Sequence, residues 1–399
     1  MTTLTRNEPR ANRTGAWTSE RLKNVAPLQR GFDLPTNRVE EGAVPVVYSN
    51  GIERFHNKAL VTGPGVVTGR SGTLGKVHYV PVDFWPHNTT LWVTDFKGNH
   101  PLFIYYLYQA LGFNRFASGS GVPTLNRNDA HSYLVSLPDD PAEQELIANA
   151  LSDVDRLIES LDALIAKKRA IKQATMKQLL TGKTRLPGFT KEWKLTRLDR
   201  CGSTYGGITG KGKADFGHGS ARYVTFLNVL ENAIIQPSMF EAVDIGPAET
   251  QNRVRRGDLL FNGTSETPED VALGACVLDD WDNLYLNSFC FGFRFHADSD
   301  HDPLFFAYFF RGTIGRQLMS ALAQGATRYN MSKRQFLKLE CPLPDGDEQK
   351  AIAQVLSDMD KEIAVILQRR DKTRAIKQGM MQQLLTGRIR LVTKSEEVG

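Results

Sequence analysis

Residues 69–76, Gly-Arg-Ser-Gly-Thr-Leu-Gly-Lys, place two cations and two hydroxyls in one glycine-rich loop. Such a loop can meet phosphate oxygens through backbone amides and short donors. It does not suit a nucleoside triphosphate, because five residues separate Gly69 from Gly75 and Val77 stands where a Ser or Thr would meet the metal. Donors of this kind do suit the phosphates and base edges of a nucleic acid. That singles out Arg70, Ser71, Thr73 and Lys76, and, in the related run 262–265, Asn262, Thr264 and Ser265. A second pair of polar loops adds Ser120, Thr124, Asn126 and Arg127, then Arg328, Tyr329, Asn330, Lys333 and Arg334. Arginine suits the paired acceptors of guanine, and asparagine the donor and acceptor of adenine. Lys211 and Lys213, in a further glycine-rich stretch, are candidate phosphate contacts. An ordinary solvated turn accounts for any one of these residues about equally well.

Other chemistries find little support. The chain has no Walker A loop, no Asn-Pro-Pro-aromatic or Asp-Pro-Pro-aromatic sequence for amino methylation, and no carboxylate cluster of the nuclease kind. Cys290, His296 and His301 fit no zinc spacing, and the four cysteines form no CxxC pair, which suits a reducing cytoplasm. No catalytic and no metal residue is therefore expected. The apolar stretches 101–113 and 303–310 are too short to span a bilayer, and residues 1–16 lack the apolar core of a secretory signal, so a cytoplasmic protein without membrane contact is expected. The formal charge of +5 is a mild bias toward polyanions.

The elements that must carry these loops come from a duplication. Residues 143–186 align without a gap onto 348–391, a shift of 205, with 23 identities in 44 positions. Weaker matches continue upstream: Tyr106 with Tyr308, Asn126 with Asn330, and Trp17 with Trp193. The order is variable domain, repeated segment, variable domain, repeated segment. The variable domains read as mixed α/β, with strand-like runs such as 65–69 and 289–295 and aromatic helices after Pro101 and Pro303. Those aromatics are read as core.

Each repeated segment reads as a long helix. Ile147, Leu151, Val154, Ile158, Leu161 and Ile165 step by 4 and 3, and Ile352, Leu356, Met359, Ile363 and Ile366 repeat the seam. Asp140 with Glu143, and Asp345 with Glu348, suggest capping boxes, and Gly182 and Gly387 suggest C-terminal caps. Acidic residues crowd the first helix's beginning and basic residues the end of both, which favours an antiparallel pair over a parallel one. The same gradients would also complement each helix's own dipole. Polar residues at seam positions (Lys168, Lys172, Arg370, Thr373, Lys377) hint that further helices complete the bundle.

The expected architecture is thus two α/β (α+β) recognition domains joined by two long antiparallel coiled-coil helices, an internal pseudo-two-fold duplication. Its boundaries are a disordered tail at 1–16, a first recognition domain at 17–138, a helical spacer at 139–186, a second recognition domain at 187–344, a second spacer at 345–391 and a tail at 392–399.

This order, with Leu-Leu-Thr-Gly-[Lys/Arg]-x-Arg-Leu ahead of Pro187-Gly188-Phe189 and Trp193, and Leu-Pro leading into Glu-Gln at 143–144 and 348–349, resembles the specificity subunits of type I restriction-modification systems. The resemblance covers about residues 17–391. It implies that each recognition domain reads half of a split site in double-stranded DNA. It implies that the helices set the spacer and dock two adenine methyltransferase (modification) subunits, with restriction motor-nuclease subunits joining to cleave unmodified DNA. S-adenosylmethionine, ATP and Mg2+ would belong to those partners, with no cofactor in this chain. A stand-alone bipartite DNA-binding or scaffolding protein on the same plan is the alternative.

Overall fold

The structure is a computed structural model describing residues 17–118 and 123–391; the tails expected at 1–16 and 392–399, and candidate Ser120, lie outside the described residues. Among the described residues two compact units emerge, 17–162 with 368–391, and 163–367. Their boundaries fall inside the long helices rather than at the linear boundaries read from the sequence, because each helix half packs on a different recognition domain.

Both units repeat one sheet plan. In the first, a four-stranded antiparallel sheet runs Leu28–Arg30, Thr90–Val93, Gly65–Gly69, Val77–Val80. In the second, the order is Gly202–Gly206, Cys290–Phe295, Leu259–Asn262, Gly274–Cys276. A three-stranded sheet accompanies each, centred on Val44–Tyr48 and on Phe216–Val224, and each contains one parallel pair. The strand-like run at 271–278 narrows to Gly274–Cys276, since Ala272 takes a left-handed φ of 56° that interrupts extended pairing.

An aromatic helix anchors each core. Pro101–Leu111 buries Phe103, Tyr106 and Tyr108, while Pro303–Arg311 buries Phe305, Phe306, Phe309 and Phe310 completely. Each such ring contributes roughly 1.5–3 kcal/mol of apolar burial, so these aromatics are spent on the core.

The long helices run Pro141–Leu179 and Gly346–Leu384. Within each unit their halves lie antiparallel. In the first, Asp155 pairs with Lys377 at 2.6 Å and Asp162 with Arg374 at 2.8 Å. In the second, Lys168 pairs with Glu362 at 2.6 Å and Lys172 with Asp360 at 2.5 Å. Partner numbers fall as helix numbers rise in both cases, so the acidic-to-basic gradients pair across the helices. The polar seam positions find partners within the chain: Lys168, Lys172, Arg370 and Lys377 meet carboxylates inside their own units, and the Thr373 hydroxyl donates to the Arg369 carbonyl.

The apolar seam does two jobs. Ile147 and Leu151 join the first domain's core together with Leu384 and Leu385, and Ile352 and Leu356 join the second with Leu179 and Leu180. Leu161, Ile165 and Ile363 are buried, whereas Val154, Ile158, Met359 and Ile366 are half-buried. Gly182 and Gly387 close the helices at φ of 68° and 67°, and a Cβ at either would press on an indole, Trp193 or Trp17.

The capping boxes are corrected. Asp140 Oδ1 accepts from the Ala142 amide at 2.9 Å, and Asp345 Oδ1 from Glu348 at 3.1 Å, but neither glutamate reaches back to its cap. Glu143 is instead sealed in a clamp, accepting from Arg390 Nε at 2.5 Å and Nη2 at 2.6 Å, with the Trp17 indole N–H at 3.4 Å. Glu348 repeats it with Arg185 (2.6 and 2.5 Å) and Trp193 (3.3 Å). Their side chains are 2% and 1% exposed, so each needs its guanidinium partner.

Arg390→Ala leaves Glu143 buried without its cation and should cost roughly 3 kcal/mol. Amide hydrogen exchange checks this: protection should drop around 141–151 and 384–391 and hold in the second unit, with Arg185→Ala giving the reverse pattern. Equal protection throughout would show that the clamp carries no stability.

Candidate nucleic-acid interface

In the first unit the two loops singled out in the sequence are one surface. The strand Gly65–Gly69 delivers the chain to Arg70, where the Arg70 and Ser71 amides donate to the Thr89 carbonyl at 2.8 and 3.2 Å. The Leu125 amide then donates to the Arg70 carbonyl at 2.8 Å, and Ser71 bridges to Thr124. Gly69 donates to the Lys76 carbonyl at 3.3 Å. The Gly69, Arg70 and Ser71 amides are thereby committed to the protein, so at this end of the loop contacts fall to side chains.

Those side chains line a shallow cleft of about 540 Å³, bounded by Arg30, Arg70, Thr124, Asn126, Arg127 and Asn128. Three arginines line it, of which Arg30 is paired with Asp33 at 3.4 Å, and no carboxylate is among the lining residues. Arg30 and Asn128 escaped the sequence reading because they lie outside the glycine-rich loops; Arg30 ends a strand of the main sheet, beside the strand that carries Thr90–Val93. Thr73 and Ser71 are half-buried and Lys76 is exposed. Asn126 also serves the fold, since its side chain caps the short helix Arg127–Ser132, accepting from the Asn128 amide at 3.0 Å.

The second unit has the same stitching. Thr264 and Ser265 pair with Asn330 and Tyr329, and the Met331 amide donates to the Gly263 carbonyl at 2.9 Å, as Leu125 does to Arg70. Ser332 caps the helix Lys333–Leu337, accepting from the Gln335 amide. The structural counterpart of Asn126 is therefore Ser332, and the sequence match of Asn126 to Asn330 slips by two residues.

Three candidates of this unit are corrected by their surroundings. Asn262 is fully buried; its amide donates to the carbonyls of Thr264 and Asp270 and accepts from the Leu273 amide at 2.7 Å, which leaves nothing for a ligand. The Thr264 hydroxyl is buried without a hydrogen-bond partner among the described residues, so it is closed to phosphate. The Lys211 side chain is 8% exposed and ion-paired to Glu249 at 2.5 Å, a hydrogen bond that raises its pKa and lowers that of Glu249. Ser265 receives the Thr267 amide at 3.2 Å. Lys213, Arg328, Asn330, Lys333 and Arg334 are exposed, and Tyr329 is half-buried. Arg328 stands over the Phe289 ring at 5.8 Å.

One cluster imitates a catalytic triad. Cys201 Sγ lies 3.3 Å from His301 Nε2, and Gln349 Nε2 lies 3.0 Å from His301 Nδ1. An amide nitrogen can only donate, so Nδ1 accepts and Nε2 carries the ring proton. The imidazole cannot then take a proton from the thiol, which burial pushes up to about 11. Gln349 also receives the Asp302 amide at 2.9 Å, as Gln144 receives His100 at 2.8 Å, which marks the cluster as a joint between helix and domain. Among the described residues no group of three or more His, Cys, Asp or Glu could hold a metal ion, and no helix is long and apolar enough to cross a membrane.

Two copies of one α/β domain, each presenting a stitched pair of basic and amide-bearing loops and each built on antiparallel helix halves, define a duplicated two-headed scaffold. The family described as the type I restriction modification DNA specificity domain matches residues 15–167 and 274–375, and the chain belongs to that family. It is 24% identical over 291 residues to the type I restriction enzyme MjaVIII specificity subunit of Methanocaldococcus jannaschii, a match covering 68% of this chain and 66% of that one, just under two thirds of the relative's length. The fold is shared with a solved type I restriction-modification S subunit from M. genitalium (TM-score 0.61, 14% identity, 94% and 98% of the two chains). A further solved chain, from work on complex assembly in a type I R-M system, overlays with a TM-score of 0.56 at 13% identity, covering 94% and 99%.

Asn262→Ala should cost roughly 2–3 kcal/mol, because it strands two carbonyls and an amide in the core. Asn126→Ala should cost about 1 kcal/mol, the worth of an exposed cap. Denaturant unfolding followed by tryptophan fluorescence ranks the two; an Asn262→Ala variant as stable as the parent would contradict the structural role.

Proposed function

We propose that this chain is the DNA-reading, non-catalytic subunit of a type I restriction-modification complex, each unit reading one half of a bipartite site in double-stranded DNA. The observation that carries this reading is the pair of stitched loops. The same backbone hydrogen bonds recur in both units, and they present arginine, lysine and asparagine side chains suited to phosphates and base edges. Arg70 and Arg127 in one unit, and Arg328, Lys333 and Arg334 in the other, are the side chains we assign to DNA, with Lys76 and Lys213 as phosphate contacts.

The long helices set the distance between half-sites, since each supplies one half to each unit. They also dock two adenine methyltransferase subunits, to which S-adenosylmethionine belongs; restriction subunits using ATP and Mg2+ join them. Docking is supported by large apolar side chains left exposed on the helix halves: Leu157 and Ile376 in the first unit, and Leu164, Ile171 and Val365 in the second.

Inserting seven matched residues after Asp162 and after Leu367 preserves the contacts inside each unit and lengthens both helices by about 10 Å. At 3.4 Å per base pair along a strand, the preferred gap between half-sites should grow by about three base pairs, with both half-sites unchanged. Selection from a duplex library with varied gaps checks it. A DNA-binding insertion variant that keeps the parental gap would refute the spacer role of the helices.

A further inference from the structure

Comparison of the two units separates positions held for the fold from positions free to diverge. At the clamps and joints the side chains are the same in both copies: Trp17 and Trp193, Glu143 and Glu348, Arg390 and Arg185, Gln144 and Gln349. At the stitched loops the backbone is the same and the side chains are not. The Arg70 amide donates to the Thr89 carbonyl at 2.8 Å in the first unit, and the Gly263 amide donates to the Phe289 carbonyl at 2.8 Å in the second. Phe289 thus occupies the position of Thr89. Thr89 is half-buried, with its hydroxyl 3.1 Å from His87 Nδ1, whereas Phe289 is 58% exposed.

An exposed phenyl ring costs solubility and adds nothing to this core, yet its backbone is held firmly. The Phe289 amide donates to Asn287 Oδ1 at 2.9 Å, the Cys290 amide to the Asn287 carbonyl at 3.0 Å, and Gly263 to Phe289 itself. The Arg328 guanidinium lies over the ring at 5.8 Å. A guanidinium resting on an aromatic face keeps its hydrogen-bonding edge free and loses little freedom on binding. The ring beside it offers an apolar surface of the kind that meets the 5-methyl group of thymine.

We propose that Phe289 is a specificity-determining residue of the second unit, which reads the methyl group of a thymine next to the base pair whose guanine Arg328 takes. This rests on the DNA-reading function proposed above. The preference follows from geometry: with the guanidinium on the O6 and N7 edge of guanine, the ring under it meets the neighbouring base pair, where thymine alone presents a methyl in the major groove.

The test uses the full chain and its selected duplex site, with deoxyuridine replacing single thymines so that one methyl is removed and pairing is kept. Affinity of the parent should fall about four-fold at one thymine adjacent to guanine, the effect of one buried methyl-sized group. Phe289→Ala should be insensitive at that thymine and unchanged in its response at all others, and Phe289→Leu should retain part of the effect. A parent insensitive at every such thymine, a site with no thymine beside guanine, or a Phe289→Ala variant with undiminished sensitivity would each overturn the inference while leaving the DNA-reading function in place. A parent chain that enriches no sequence at all would overturn that function, and this inference with it.

Discussion

A carboxylate shut away from water must have a cation, and in this chain two such carboxylates find theirs far along the sequence. Glu143 is 247 residues from Arg390, and Glu348 is 163 residues from Arg185. Each pair ties the start of one long helix to the segment just after the end of the other, with an indole N–H completing the site and a glycine cap packed on the same ring. Neither unit can close on its own repeat, because each needs an acid from one repeated segment and a base from the other. The antiparallel helix halves, the placement of the aromatic cores against them and the split of the units inside the helices all follow from that exchange.

The remaining polar contacts extend the same logic along the helices. Tyr106 donates to Asp155, which also holds Lys377, and Tyr308 donates to Asp360, which also holds Lys172. The half-buried seam is therefore satisfied internally, so partner proteins need not supply charge to it. Among the charged side chains left outward on the helix halves stand large apolar ones, Leu157, Leu164, Ile171, Val365 and Ile376. Upon this repeated framework the loops differ: equal backbone bonding carries Arg70 and Thr89 in one unit and Gly263 and Phe289 in the other. A frame held by identical residues and a surface of unlike ones is what two reading heads of different preference require.

Much of the frame was legible in the sequence because it is periodic or repeated. The heptad steps, the glycine caps and the opposed charge gradients are properties of single segments, and the duplication doubles each signal. The clamp was visible only as a motif, Leu-Leu-Thr-Gly-[Lys/Arg]-x-Arg-Leu, since nothing local says that its arginine serves the other repeat's glutamate. The loops were harder. Residue type nominated Asn262, Thr264 and Lys211, but burial and an ion pair decide what they do, and neither has a sequence signature. The two-residue slip that set Asn126 against Asn330 instead of Ser332 arose because loop identities are sparse, while register is fixed by the Leu125 and Met331 amides. Arg30 and Asn128 join the cleft through sheet order, which no local pattern encodes.

The central claim is that one chain holds two separate readers on a shared frame. Selection of the purified full chain on fully randomised duplex DNA, followed by sequencing of the bound fraction, tests it most directly. The account predicts two defined half-sites separated by a stretch of constant length in which every base is tolerated. A single contiguous motif, or two motifs at freely varying distance, would contradict it.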